Sequence, residues 1–370
     1  MKLRIGIPRE IKKGENRVAA TPRCVTVLRE AGARIIVERG AGRESGFPDA
    51  EFARAGASMV EDPAHVWNAD LVVKVKEPLP REFRFLSERT ALFTYLHLAA
   101  FPKLTDTLLA RKVTAIGYET VTKNGRLPLL RPMSEVAGIL SVQVGARGLE
   151  KEAGGRGILL PALLGGKPAS VCVIGAGTAG RSAARTAAGI GANVTVLDIS
   201  REQLARLRKE TGGRVRTVLS TPGSIERAVV SSDLVISTVL LVGDRAPVLI
   251  PRKLLRRMPR GSVVVDISID QGGTLETSRP TTHAQPFFVE EGVVHYCVMN
   301  MPAAVSRTST VALTKATLPY VRAIARRGLL DALRKDSGLR AGLNTFRGQV
   351  TCEGVARALG REYTAPETLL

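Results

Sequence analysis

The sequence predicts an α/β protein made of two Rossmann-like, doubly wound parallel-sheet domains with a cleft between them. Three observations carry that prediction. The chain has 370 residues, more than one ordinary core accommodates. Short apolar, β-branched runs alternate with helical patterns, the repetition that builds a parallel sheet covered on both faces. The run Val171-Cys172-Val173-Ile174 passes directly into Gly175-Ala176-Gly177-Thr178-Ala179-Gly180, and a second apolar run, 194–197, then ends in Asp198.

In chain order, residues 3–7 read as a strand. Thr21-Pro22 is an N-cap followed by Pro at the first helical position, opening a helix to about residue 31. Residues 34–37 form a strand and 49–55 a helix. Residues 71–75 and 90–96 are strands, 103–110 a helix and 114–119 another strand. A helix starts near Ser134, its expected N-cap, and runs to about residue 152, where Gly154-Gly155-Arg156-Gly157 breaks it. After the glycine turn, strands are expected at 215–219, 234–238, 263–267 and 293–298. A long helical pattern covers 309–327, with Pro319 a kink or break inside it, and more helix follows to the C-terminus. The first domain is thus expected from 1–130 plus 306–370 and the second from 131–305.

Each part of the glycine turn has a physical task. Gly175 permits the tight turn out of the strand. Gly177 lets backbone approach a pyrophosphate, and Gly180 lets the next helix sit close to its strand. The helix N-terminus, at Thr178 and Ala179, offers N–H groups to phosphates. Asp198, 18 residues after Gly180, can accept hydrogen bonds from a ribose 2′-OH, and its charge repels a 2′-phosphate. NAD is therefore expected in preference to NADP, with Arg201 close by as the one opposing charge.

Composition sets further bounds. The chain is 44% hydrophobic and 24% charged, as soluble globular proteins are. No apolar run approaches the ~20 residues of a bilayer span, and Met1-Lys2-Leu3-Arg4-Ile5-Gly6 opens a strand-like run with no signal-peptide core behind it. A cytoplasmic protein without a membrane partner is expected. Cys24, Cys172, Cys297 and Cys352 are scattered, with no C-x-x-C pair, which argues against a disulfide framework or structural zinc. Net charge is +20, from 40 Arg and 14 Lys against 34 acidic residues. The basic residues are dispersed, with no basic tail, so a nucleic-acid partner is not expected; the excess charge would draw small anions towards a cleft.

In a parallel sheet, ligands gather beyond the carboxyl ends of the strands. That rule selects Lys76, His97 and Asp270, each just past a predicted strand. Each has a plain alternative: a solvated lysine, a hydrogen-bonded structural histidine, a turn-forming aspartate. Arg17 alone reads equally well as a surface arginine.

The sequence resembles the alanine dehydrogenase and pyridine nucleotide transhydrogenase family. The matching segments are Gly6-Ile7-Pro8-Arg9-Glu10, Glu15-Asn16-Arg17-Val18-Ala19, Val75-Lys76-Glu77-Pro78, Leu96-His97-Leu98-Ala99, Met133-Ser134-Glu135-Val136-Ala137-Gly138, the glycine turn with Leu197-Asp198, Asp266-Ile267-Ser268-Ile269-Asp270-Gln271-Gly272-Gly273, Ser278-Arg279-Pro280-Thr281-Thr282 and Asn300-Met301-Pro302-Ala303. They run in order over almost the full length. The resemblance implies that Arg17 and Lys76 hold a substrate carboxylate and carbonyl, that His97 and Asp270 are a catalytic acid/base pair, and that Lys76 assists catalysis. It implies a dinucleotide held by Ser134, Thr178, Ala179, Asp198, Ser220, Val239, Leu240, Ile267, Ser268, Ile269, Asp270, Arg279, Val298, Met299, Asn300 and Met301. The implied reaction is reversible NAD-dependent oxidation of L-alanine to pyruvate and ammonia, by a hexamer. Gln203 stands where some members carry a basic residue. Some members bind a divalent ion through a carboxylate matching Glu119 and a C-terminal histidine; Arg327 replaces that histidine here, so no metal is expected. Competing readings are a related amino-acid dehydrogenase or imine reductase, a transhydrogenase subunit, and a nucleotide-sensing or nucleic-acid-binding Rossmann protein.

Overall fold

The computed structural model describes residues 2–239 and 246–370. The chain divides into two compact units, Met1–Met133 with Ala303–Leu370, and Ser134–Pro302. In chain order the strands are β1 (Arg4–Ile7), β2 (Arg34–Glu38), β3 (Ser58–Val60), β4 (Leu71–Val73), β5 (Ala91–Thr94), β6 (Thr114–Gly117), β7 (Ser170–Ile174), β8 (Asn193–Asp198), β9 (Arg216–Leu219), β10 (Leu234–Ser237), β11 (Val263–Asp266), β12 (Phe287–Glu290), β13 (Val293–Tyr296), β14 (Leu343–Phe346) and β15 (Gln349–Val350).

The first unit's sheet has the order β15-β14-β6-β5-β4-β1-β2-β3. From β6 to β3 every pair is parallel; β14 runs antiparallel to β6, and β15 to β14. Strands β4 and β5 are buried throughout, as parallel strands covered on both faces must be. The helix Pro22–Glu30 starts where the cap predicts: Thr21 accepts a hydrogen bond from the Cys24 amide, and Cys24, Val25 and Leu28 face inwards. The second unit's sheet has the order β12-β13-β11-β10-β7-β8-β9, parallel except for the edge strand β12. Counted from β7, this is the doubly wound order of dinucleotide folds. Cys172 and Cys297 are buried free thiols, raised to about 12 by burial.

Three expectations need correction. The helix expected to begin at Ser134 spans Arg131–Gly148. Pro132 tolerates the first turn, where its missing N–H has no partner to lose, so Ser134 lies inside the turn and does not cap it. Pro319 does not break its helix, which runs unbroken from Ser306 to Arg327. A buried stripe, including Leu313, Thr317, Tyr320, Val321 and Ile324, holds it in place. The C-terminal region is not all helix: β14 and β15 form a hairpin there. Both sheets are parallel as expected, apart from β14 and β15 at one edge of the first and β12 at one edge of the second.

Candidate active site

The glycine turn behaves as its spacing demands. Gly175 has φ of 101°, open to glycine at no cost. A Cβ on Gly180 would lie 1.8 Å from the Gly175 carbonyl oxygen, so only glycine lets the helix Thr178–Ile190 pack this closely. At Gly177 the opposite holds: a Cβ would meet nothing within 4 Å. That open space over the N-terminus of a 13-residue helix is the cradle a pyrophosphate needs. Asp198 ends β8 and is fixed by two amides, Ala176 N on Oδ2 at 2.5 Å and Ser200 N on Oδ1 at 2.7 Å. Its carboxylate therefore stands beside the turn. Arg181, rather than the exposed Arg201, sits beside Gln203: its Nη1 donates to Gln203 Oε1 at 2.7 Å and to the Ala176 carbonyl.

The other expected nucleotide positions cluster beyond the carboxyl ends of the same sheet. Ser220 follows β9 and its amide donates to Asp198 O. Val239 follows β10, and its carbonyl accepts from Ser268 Oγ at 2.7 Å. Leu240 lies outside the described residues. Ile267–Gln271 is a 3-10 turn at the end of β11, with Ser268 and Ile269 buried and Asp270 exposed. Asp266 shapes that turn. It accepts from Ser268 N, Thr274 N and Ser278 Oγ, and burial raises its pKa against those bonds. Arg279 lies over the Phe288 ring at 4.2 Å. Val298 and Met301 are buried, Met299 is half-exposed, and Asn300 has φ of 58°.

In the first unit, β4 and β5 lie side by side, and their ends bring Lys76 and His97 together. Tyr95 N donates to Val75 O at 3.3 Å and Thr94 Oγ1 to Lys76 O at 2.9 Å, lacing the two strand ends. Lys76 is partly buried and His97 exposed. His97 adopts a left-handed conformation, φ 49° and ψ 37°, which costs a non-glycine residue about 1–3 kcal/mol. Its ring lies nearly parallel to that of Tyr95, 5.9 Å away. The Tyr95 hydroxyl donates to Leu129 O at 2.7 Å. Burial pushes that phenol well above its usual range, and the nearby Arg17 charge pulls the other way.

Arg17 is not a surface arginine; it is 2% exposed. Glu15 takes its Nε and Nη2 in a two-pronged bond, both at 2.6 Å, and Nη1 faces Met133 Sδ at 2.9 Å. Burial works against the guanidinium charge, but Glu15 overcomes it and the net shift is upward. Glu15 thus holds one edge of the guanidinium, and Met133 lies against Nη1.

Sequence reasoning missed how acids hold these residues from behind; Glu119 had appeared only as the match to a metal-binding carboxylate. Glu10 accepts from Val75 N at 2.6 Å and Lys76 N at 3.4 Å. The fully buried Lys74 bridges Glu10 at 3.3 Å and Glu82 at 2.7 Å; desolvation would lower its pKa, but the two carboxylates raise it. Glu119 accepts from Leu96 N and His97 N. The signal available was position alone: Glu10 and Glu119 also follow strands of the same sheet. Among the described residues, no three His, Cys, Asp or Glu side chains gather as a metal site.

"Alanine dehydrogenase/PNT, N-terminal domain" matches residues 6–137, and the C-terminal domain of the same family matches 141–353. The chain is 50% identical to an alanine dehydrogenase of Bacillus subtilis (strain 168), covering 99% of this chain and 97% of that protein. It is 50% identical to alanine dehydrogenase 2 of Staphylococcus aureus (strain USA300), covering all of both. A solved L-alanine dehydrogenase matches with a TM-score of 0.93 at 46% identity, covering 97% of this chain and 99% of that one. A transhydrogenase from Sinorhizobium meliloti, at 23% identity and a TM-score of 0.82 over 95% of this chain and 99% of that one, shares the fold. With both family domains matched in order and half of all residues shared end to end, this chain belongs to the alanine dehydrogenase/pyridine nucleotide transhydrogenase family.

Proposed function

We propose that the chain catalyses the reversible, NAD-dependent oxidative deamination of L-alanine to pyruvate and ammonia. The observation that carries this reading is the full-length 50% identity to alanine dehydrogenases, joined to the clustering of Lys76 and His97 at adjacent strand ends. The nicotinamide cofactor would be held by the cradle over Gly177, the helix start at Thr178 and Ala179, Asp198, and the turns at Ser220, Val239, 267–270, Arg279 and 298–301. When bound, it accepts hydride from the substrate Cα. A carboxylate fixed by two amides at Asp198 favours a ribose 2′-OH over a 2′-phosphate, hence NAD over NADP.

Arg17 grips the substrate carboxylate by charge-assisted hydrogen bonding from its guanidinium. Lys76 stands near the oxygen that becomes the carbonyl, its positive charge stabilising the developing oxyanion in the reverse direction. Loss of hydride leaves an iminium on the substrate. As water adds, His97 takes its proton; on collapse of the carbinolamine it returns that proton to the departing amine and takes the hydroxyl proton as the carbonyl forms; an imidazole suits these transfers. Asp270 supports those proton movements from the turn after β11. The reading also takes the enzyme as cytoplasmic and homo-oligomeric, a hexamer by family resemblance, which cell fractionation and light scattering test.

The substrate assignment is tested by a panel of L-alanine, glycine, L-serine, L-ornithine and L-lysine with NAD. L-Alanine is expected to give kcat/KM at least about tenfold above the next substrate, the discrimination a single methylene or hydroxyl earns in a fitted pocket. A clear preference for ornithine or lysine would replace alanine as the substrate.

A further inference from the structure

Each substrate-side residue of the first unit has its own backbone N–H bonded to a carboxylate. Arg17 N donates to Glu15 Oε1 at 3.1 Å, Lys76 N to Glu10 Oε1 at 3.4 Å, and His97 N to Glu119 Oε1 at 2.6 Å. For Lys76 and His97 the reason lies in the sheet. Beyond the last ladder bond of a strand, N–H groups have lost their partner, and a buried N–H must find another. A carboxylate forms shorter, stronger bonds there than a neutral acceptor.

His97 depends on this most. Glu119 sits in the 3-10 turn Tyr118–Thr120, which directly follows β6, and β6 pairs in parallel with β5. The sheet itself therefore brings Glu119 alongside the end of β5. Its carboxylate receives two successive amides: Leu96 N at 3.1 Å to Oε1 and 3.2 Å to Oε2, and His97 N at 2.6 Å to Oε1. Two successive N–H groups converge on one anion only when the chain curls around it. Here the curl is the left-handed turn at His97. With the backbone fixed by Glu119 and the ring seated against Tyr95, the imidazole has a set direction.

We propose that Glu119 is a positioning residue, holding the left-handed turn that aims the His97 imidazole at the substrate. This rests on the reading of His97 as the proton-transfer group. Glu119 acts through reach and geometry rather than through its charge at the reacting atoms.

Two opposed variants separate these roles. Glu119→Gln keeps the reach and one oxygen but removes the charge. Glu119→Asp keeps the charge but withdraws it by one methylene. Positioning predicts that Gln retains kcat for L-alanine within about threefold, whereas Asp loses about ten- to a hundredfold, the scale of an ångström-sized misplacement. KM for NAD and the melting temperature stay near wild type in both. The proposal is overturned if Asp retains turnover while Gln loses it, or if both behave as wild type. Should the Asp variant not fold, the Gln variant decides: loss of turnover in a folded Gln protein overturns the proposal. His97→Ala runs alongside. If it is inactive, an adverse result at Glu119 counts against positioning alone; if it keeps turnover, the reading of His97 falls, and the positioning role with it.

Discussion

At the scale of single residues, the account predicts a separation between chemistry and cofactor binding. His97→Ala removes the proton-transfer group and is expected to cost about a hundred- to ten-thousand-fold in kcat. Lys76→Ala is expected to collapse turnover similarly. Neither residue belongs to the nucleotide-binding unit, so NAD affinity measured by fluorescence titration should change less than about threefold in both. An equal fall in NAD affinity would show that the roles are misassigned. The positions of Lys76 and His97 were legible in the sequence because both follow apolar strands, and the strand-end rule needs only that. Arg17 was not: one arginine between Asn16 and Val18 carries no sign of burial. What buries it is Glu15, two residues away, together with Met133, 116 residues along the chain. Long-range pairing of that kind has no local signal. The same is true of Glu10, whose acceptor role for Val75 and Lys76 spans 65 and 66 residues.

At the scale of elements, the glycine turn makes paired predictions that separate fold from function. Gly177→Ala places a methyl in open space at φ −64°, which alanine adopts freely. The protein should melt within a few degrees of wild type yet bind NAD at least about tenfold more weakly, read by calorimetric titration. Gly180→Ala drives a methyl into the Gly175 carbonyl. The helix must shift, and stability should fall by about 1–3 kcal/mol, seen in denaturant unfolding. If Gly177→Ala binds NAD normally, the cradle is misread. Under the first sheet, Lys74→Ala strands Glu10 and Glu82 in the interior. Breaking one partner of a buried ion cluster costs about 3–5 kcal/mol, so that variant should lose more stability than either glycine change.

Electrostatics at the β12–β13 hairpin predict a pH window. Glu291 bonds to both Arg252 and Arg256, and hydrogen bonds from the two arginines hold its pKa at about 2 against an ordinary 4.5. The unfolded chain therefore takes up the proton first as pH falls. The stability this group contributes is present above about 4.5 and is lost as pH drops towards 2. The melting-temperature gap between wild type and Glu291→Gln should close across that interval; a gap constant down to pH 2 would contradict the assignment. These hairpins also explain what the sequence concealed. In both, a two-residue turn with both residues at positive φ, Glu291-Gly292 and Arg347-Gly348, joins antiparallel strands. The apolar-run pattern found β13, but Leu343-Asn344-Thr345-Phe346 and Gln349-Val350 carry no apolar run, whereas the x-Gly turn between them was a usable sign. Pro319 was misread for a related reason: its local cost is visible in the sequence, but the long-range packing that outweighs it is not.

At the scale of the whole molecule, the chain joins one unit carrying Arg17, Lys76 and His97 to another carrying the nucleotide motif. No helix among the described residues is long and apolar enough to cross a membrane. Arginines paired with acids, such as Arg147 with Glu152 and Arg340 with Glu367, cancel in charge, so the +20 lies on the basic residues in excess of the acids. The most direct measurement is the product balance of the purified chain supplied with L-alanine and NAD, following NADH by absorbance and assaying pyruvate and ammonium separately. The account predicts equal amounts of all three, formed only from the L enantiomer and abolished by His97→Ala. No NADH from L-alanine, or NADH formed without matching ammonium, would contradict it.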